Sequence, residues 1–187
     1  MAAQSDLARE YVARAEKMKW KDLAVLWNEI KSGTVKDWDA GKALEHLVVR
    51  GCILSGLRAE YPYDVPPAGK PIEQIDGLVE LESLTFLIEC KDKKTVAIEA
   101  IAKLINQLLR RPQTTFGCVF TSGEFTPNAL LLVDLIPHRV LLWTRIDIDE
   151  CVKNRDFREM LNAKYRNLCK YGLTDHSPNY EEDEVAQ

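Results

Sequence analysis

The chain has 187 residues, 46% hydrophobic and 29% charged, enough for one domain with a substantial core. No apolar run approaches the ~18 residues of a membrane span, and Met1-Ala2-Ala3-Gln4-Ser5-Asp6 carries no signal-peptide pattern, so a membrane or secreted class is not expected. The net charge of −4 argues against a uniformly basic binder of polyanions, but Asp175, Glu181, Glu182, Asp183 and Glu184 lie in residues 174–187, which hold no Lys or Arg. Removing those five from the 29 acids leaves 24 against 25 basic residues, so the remainder is near neutral and local patches matter more than the total. Cysteines 52, 90, 118, 151 and 169 are odd in number and form no Cys-x-x-Cys pair, which favours reduced thiols in a cytoplasm over disulfides or zinc.

Residues 6–31 read as one bent helix or two short ones. Leu7, Tyr11, Ala15 and Met18 make one stripe; Trp20, Leu23, Ala24, Trp27 and Ile30 make another; Gly33 marks the end. This segment is expected to be an addition to the core domain, with Trp20 and Trp27 as core or dimer contacts. A further helix covers about 38–56, burying Leu44, Leu47, Val48 and Leu54, with Glu45 and His46 beside that stripe. Residues 61–71 contain four prolines and form a loop, a rigid connection or a cover over a groove. Two strands, about 73–81 and 84–91, are joined tightly by Glu82-Ser83 and should make an antiparallel hairpin.

A helix follows over about 95–110, with Val96, Ala100, Ile101, Leu104 and Leu108 inward and Pro112 as its stop. Phe116 to Thr121 is a buried strand. Thr126-Pro127 starts a helix that carries Ala129 to Leu135, with Thr as N-cap and Pro in the first position. Val140 to Thr144 is another buried strand, with Trp143 in the core, and a last amphipathic helix spans about 148–171. The order predicts an α/β fold, a central mixed sheet flanked by helices with extra helices at the N-terminus. The expected divisions are a helical extension at 1–36, the α/β domain at 37–173 and an acidic, flexible tail at 174–187.

Chemistry concentrates at Glu89-Cys90-Lys91, two opposite charges closing the apolar run Leu87-Ile88. Strand side chains alternate, so Glu89 and Lys91 face the same way. Thirteen residues before Glu89 stands Asp76, in Gln74-Ile75-Asp76-Gly77. An acid followed one hairpin later by Glu-x-Lys suits metal-dependent phosphodiester hydrolysis. Mg²⁺ takes oxygen ligands and keeps several waters, so Asp76, Glu89 and the Cys90 carbonyl are candidate ligands. Lys91 is placed to hold water or stabilise charge on the phosphorane. Glu45 is a candidate to complete the metal site or orient water, and Gln74, on the strand face of Asp76, to hydrogen-bond the site. His46, His138 and His176 show no ligand spacing and are expected to be structural or exposed.

At these residues the chain resembles the PD-(D/E)XK nuclease superfamily, with its restriction-endonuclease-like fold, and most closely Mrr-type restriction endonucleases. Gln74-Ile75-Asp76 resembles the family's Gln-x-Asp, Glu89-Cys90-Lys91 its Glu-x-Lys, and Glu45 its helical glutamate. Phe116 to Ala129 resembles the later strand and capped helix, and the likeness covers roughly residues 38–145. The resemblance implies a Mg²⁺-dependent DNA endonuclease, with Mn²⁺ able to substitute, in defence or repair. It also puts Gln107 where related nucleases carry a supporting polar residue.

Lys91, Lys93, Lys94 and Lys103, then Arg110 and Arg111, cluster after the motif as candidate phosphate contacts, with Gln107 among them. Arg155, Arg158, Arg166 and Lys170 form a second stripe along the last helix, more simply read as a solvated face. No base-reading motif is visible. A homodimer through the N-terminal helices and a partner subunit that selects the target are both compatible with the sequence. The rival readings are a non-catalytic DNA- or protein-binding module of the same fold, and a dimeric junction resolvase or RNA nuclease.

Overall fold

The computed structural model describes residues 6–65, 73–135 and 139–175. Prolines 66, 67 and 71, His138, His176 and the acids at 181–184 lie outside the described residues. The N-terminal segment is two helices, α1 (Asp6–Lys17) and α2 (Trp20–Ser32). Asp22 accepts from the Lys19 backbone N–H at 2.9 Å to start α2, and Gly33 ends it in the left-handed region. Then follow α3 (Lys42–Leu54), β1 (Arg58–Glu60), β2 (Tyr63–Val65), β3 (Glu73–Ile75), β4 (Gly77–Leu81) and β5 (Leu84–Lys91). The second half comprises β6 (Thr95–Val96), α4 (Ile98–Leu108), β7 (Thr115–Thr121), β8 (Glu124–Phe125), α5 (Pro127–Leu135), β9 (Val140–Trp143), α6 (Arg145–Asn154) and α7 (Phe157–Tyr171).

Five strands form a mixed sheet in the order β1-β4-β5-β7-β9. β1, β4 and β5 pair antiparallel, whereas β5-β7 and β7-β9 pair parallel, with α4 and α5 as the connections. The predicted hairpin is therefore present, and β5 is the central strand, buried on both faces from Phe86 to Cys90. Phe86, Ile88, Cys90, Cys118, Phe120, Leu141 and Trp143 pack with α2, α3, α6 and α7. Leu87, Val119, Val140 and Leu142 pack with α4 and α5 on the other face. Helices thus cover both faces of the sheet.

Several expectations are revised. The strand expected over 73–81 breaks at Asp76: its first part pairs with β2 in a separate two-stranded ribbon, and only 77–81 joins the main sheet. The break goes with one contact across the hairpin. The Asp76 carboxylate takes the backbone N–H of Cys90 at 2.9 Å, where a continuing strand would offer a carbonyl. The last helix is two helices, because Arg155 adopts φ 59° at the end of α6 and Asp156 caps α7 by accepting from Arg158 and Glu159 N–H. The helix expected from 95 starts at Ile98, because Thr95-Val96 pairs with β8. Leu54 is only half-buried.

α2 contributes Leu23, Leu26, Trp27 and Ile30 to the same core as α3 and α7, so Trp27 is a core residue. At the other end Thr174 is buried and its carbonyl accepts from Leu142 N–H at 2.8 Å, which ties residue 174 to β9.

Candidate active site

β5 sets the site's base. Glu89 is fully buried on the α4 side of the sheet, and Lys91, two residues on, stands on the same side at the strand end. Lys91 Nζ lies 2.5 Å from Glu89 Oε1. Lys103, one turn into α4, lies 2.5 Å from Glu89 Oε2, so two ammonium groups hold this carboxylate. Asp76 sits at the bend between ribbon and sheet, buried, and next in sequence is Gly77. A Cβ at Gly77 would stand 2.6 Å from Val49 Cγ2, so glycine lets α3 lie close against β4 here. That approach brings the first turn of α3, and Glu45 with it, to the same end of the sheet. Glu45 is buried, and Lys42 Nζ reaches its two oxygens at 3.0 and 2.8 Å.

The electrostatics join these groups. Burial, then the Glu89 charge, raises the Asp76 pKa against the opposing Cys90 N–H and the two lysines. Burial, then Asp76, pushes Glu45 up to about 7, with Lys42 and Lys91 pulling the other way. Burial acts to lower Lys91, but its hydrogen bond to Glu89 and the surrounding carboxylates outweigh that and raise it, so it stays charged. The Cys90 thiol is raised well above its usual range by burial and by Asp76, Glu45 and Glu89. It points into the α3-side core, so only the Cys90 backbone is suited to a ligand role.

Among the described residues no three His, Cys, Asp or Glu side chains stand close enough to cage a metal ion as they are. Each carboxylate is turned to protein donors instead: Asp76 to Cys90, Glu89 to two lysines, Glu45 to Lys42. The donor set still fits a hard divalent cation. It is made of buried carboxyl oxygens, and the upward shifts of Asp76 and Glu45 register a repulsion that a cation would relieve.

Other expected residues fall elsewhere. Gln74 lies on the β2-β3 ribbon with its side chain exposed, not on a continuous strand with Asp76. Its carbonyl accepts from Gln107 Nε2 at 3.3 Å. Gln107 is buried, and it fastens α4 to the ribbon. Arg110 and Arg111 are both ion-paired to Glu73, whose carboxyl they hold low despite burial acting to raise it. They are committed to the fold and are not a free phosphate clamp. Arg155 sits at a helix end, off the α7 stripe, and Arg166 pairs with Glu159 at 2.7 Å.

Lys93 and Lys94 are exposed on the turn after β5. That turn is held from below: Thr121 Oγ1 donates to Lys93 O at 3.1 Å and Glu124 N–H to Lys94 O at 3.0 Å. Gly123 packs its Cα against these carbonyls, leaving no space for a Cβ. The sequence reading missed the partners Lys42 and Glu73 and the pairing of Lys103 with Glu89. The three-residue spacing of Lys42 and Glu45 was a readable signal; the other two pairings depend on tertiary contact.

His46 is buried among Tyr11, Trp38 and Tyr61, with Nδ1 2.8 Å from Lys42 O. Burial lowers its pKa from 6.5 to about 4. The folded state then binds a proton less readily than the unfolded chain, so this contribution to stability is complete above pH 6.5 and is lost as pH falls toward 4. It amounts to about 3 kcal/mol. Glu45, raised, acts with the opposite sign over an overlapping window, so the effect is read as a difference. Denaturant melts of wild type and His46→Gln at pH 7 and pH 4.5 should show the wild-type advantage shrinking at the lower pH. An advantage unchanged between the two would show that His46 does not titrate this way.

Residues 40–152, more than half of the chain, match the Mrr_cat restriction endonuclease family. Among curated proteins none matches the chain. Of solved structures, the DNA modification-dependent restriction endonuclease AspBHI superposes with TM-score 0.50 at 20% identity, over 83% of this chain and 41% of its own. MspJI restriction endonuclease in complex with a 27-mer oligonucleotide gives TM-score 0.45 at 18% identity, over 99% of this chain and 42% of its own. AF1548, a protein of unknown function, gives 0.45 at 17% identity, over 70% of this chain and 88% of its own. The chain thus spans less than half the length of either restriction enzyme, and at these identities the likeness is one of fold. A mixed sheet with Asp76 at its bend and Glu89 and Lys91 on its central strand, matched over most of its length by one family, belongs to the Mrr-type restriction endonucleases.

Proposed function

We propose that the protein is a divalent-cation-dependent DNA endonuclease, with Mg²⁺ as the working ion and Mn²⁺ able to replace it. The observation that carries this is the convergence of Asp76, Glu89, Lys91 and Glu45 at one end of the sheet, inside the segment that matches the family. Asp76 and Glu89, with Glu45 and the Cys90 backbone, would hold the ion. When bound it supplies an activated water and neutralises charge on the phosphodiester. Lys91, kept protonated by Glu89, donates to the non-bridging oxygens as negative charge builds on them. Lys93 and Lys94, on their pinned turn, meet flanking phosphates and set the backbone's register. Beside the site, a cleft of ≈ 380 Å³ runs between α1, the start of α3 and the ribbon, lined by Tyr11, Lys42, Tyr63, Asp64 and Gln74. It is the substrate's approach.

The free thiols Cys52, Cys90, Cys118, Cys151 and Cys169 support a reducing, cytoplasmic setting. No helix among the described residues is long and apolar enough to cross a membrane. We place target selection on a partner or a further segment, and a second copy as the means of cutting both strands.

One observation favours a second reading, a DNA-binding module without catalysis: Glu89 is already neutralised by two lysines. A single experiment separates the two. Duplex DNA incubated with Mg²⁺ or Mn²⁺ should be cut, and a chelator should abolish cutting. Intact DNA under every ion, with no heat on titrating Mn²⁺ but retained DNA binding, would establish the binding module instead.

A further inference from the structure

Lys103 stands outside the acid and Glu-x-Lys pattern, yet it makes a contact with Glu89 as short as that of Lys91. The two lysines differ in how they are held. Lys91 rises from the same strand as Glu89, with its side chain 32% exposed, whereas Lys103 reaches in from α4 with its side chain 44% exposed. Glu89 has no exposure at all, and each of its oxygens accepts from one ammonium. With no open side on Glu89, a cation reaches its oxygens by displacing a lysine. Lys103 is the one free to leave, because its flexible stem opens directly to solvent.

We infer that Lys103 is an exchangeable counter-ion: it occupies Glu89 Oε2 until a divalent cation arrives, then gives up that oxygen and turns to a phosphate of the substrate. The inference rests on the nuclease reading and adds a coupling to it. A protein without cation keeps its buried carboxylate neutralised. A protein with cation gains one free ammonium at the reacting centre. Cation and polyanion then favour each other's binding, and the coupling is reciprocal.

The sign of the effect distinguishes this role from simple support. Removing a side chain that merely props up Glu89 would weaken cation binding. Removing a competitor strengthens it. For Lys103→Met, calorimetric titration with Mn²⁺ should show tighter binding than wild type, by about two- to fivefold, the scale expected for one partly exposed ion pair. In a Glu89→Gln background the same substitution should change Mn²⁺ affinity little, because the contested oxygen has lost its charge. Lys103→Arg should restore the wild-type affinity. With Ca²⁺ present, the salt dependence of duplex binding should fall by about one phosphate contact in Lys103→Met, a slope change of ~0.9. Thermal melts would confirm that Lys103→Met and Lys103→Arg fold, since Lys91 still neutralises Glu89 in each.

Equal or weaker Mn²⁺ binding in Lys103→Met would overturn the inference and leave the nuclease reading standing. Absence of Mn²⁺ binding in the wild type would overturn both.

Discussion

Lys91→Ala should cut DNA at least ~10²-fold more slowly than wild type in single-turnover assays with saturating Mg²⁺. The magnitude follows from position. Lys91 is the last residue of the central strand, kept charged by Glu89 and the surrounding carboxylates, and it points to the same end of the sheet as Asp76. An ammonium held in place before the reaction needs no reorganisation when charge builds on the phosphodiester. Asp76→Ala should lose as much, by a different route: it removes a ligand and frees the Cys90 N–H that the carboxylate now satisfies. The two are told apart by Mn²⁺ calorimetry, which Asp76→Ala should weaken and Lys91→Ala should not. If both variants cleave at the wild-type rate, the site has been misplaced.

The second large effect is on stability. Lys164 is almost wholly buried, and its ammonium lies 3.0 Å from an Asp147 carboxylate that is equally buried. It also donates to Leu142 O at 2.9 Å and sits 5.4 Å over the Trp143 ring. Asp147 in turn accepts from Thr144 N–H and Oγ1 at 2.7 and 3.1 Å, closing the first turn of α6. Lys164→Met leaves that carboxylate charged and buried, which costs about 3–5 kcal/mol. In a chain of this size the midpoint should fall by ~10 °C or more. Adding Asp147→Asn should recover part of the loss, because the stranded charge goes with it. A loss below ~1 kcal/mol for the single variant would mean water reaches the pair after all.

Local order told most of the story of the site's backbone. Glu82-Ser83 between two β-prone runs is enough to predict a hairpin, and Thr126-Pro127 a helix start. Asp76, Glu89 and Lys91 stood out because metal-dependent phosphodiester hydrolysis would need such spacing, and the fold brings them to one end of the sheet. What escaped the sequence depends on contacts between distant segments. β1 is three residues long, too short for an alternation to register. The break at Asp76 exists because its side chain replaces a backbone acceptor for Cys90, fourteen residues away. The split between α6 and α7 turns on one left-handed arginine, a conformation that few residues other than Gly, Asn and Asp adopt. Arg110 and Arg111 looked like open cations until the ribbon brought Glu73 to them. Counting positive charges along a chain overstates a polyanion site wherever the fold supplies their partners.

The bend at Asp76 has a dynamic consequence. β5 lies in the middle of the sheet, bonded on both sides, so Glu89 should be released only when the whole domain opens. The β2-β3 ribbon has two short strands and leans on α4 through Gln107 and Glu73, the kind of unit that opens on its own. Asp76 stands on the seam between them. An ion held by both carboxylates would therefore tie a local, early-opening unit to the central strand of the sheet. On the nuclease reading, breathing of the ribbon would then be the gate through which the ion enters and leaves.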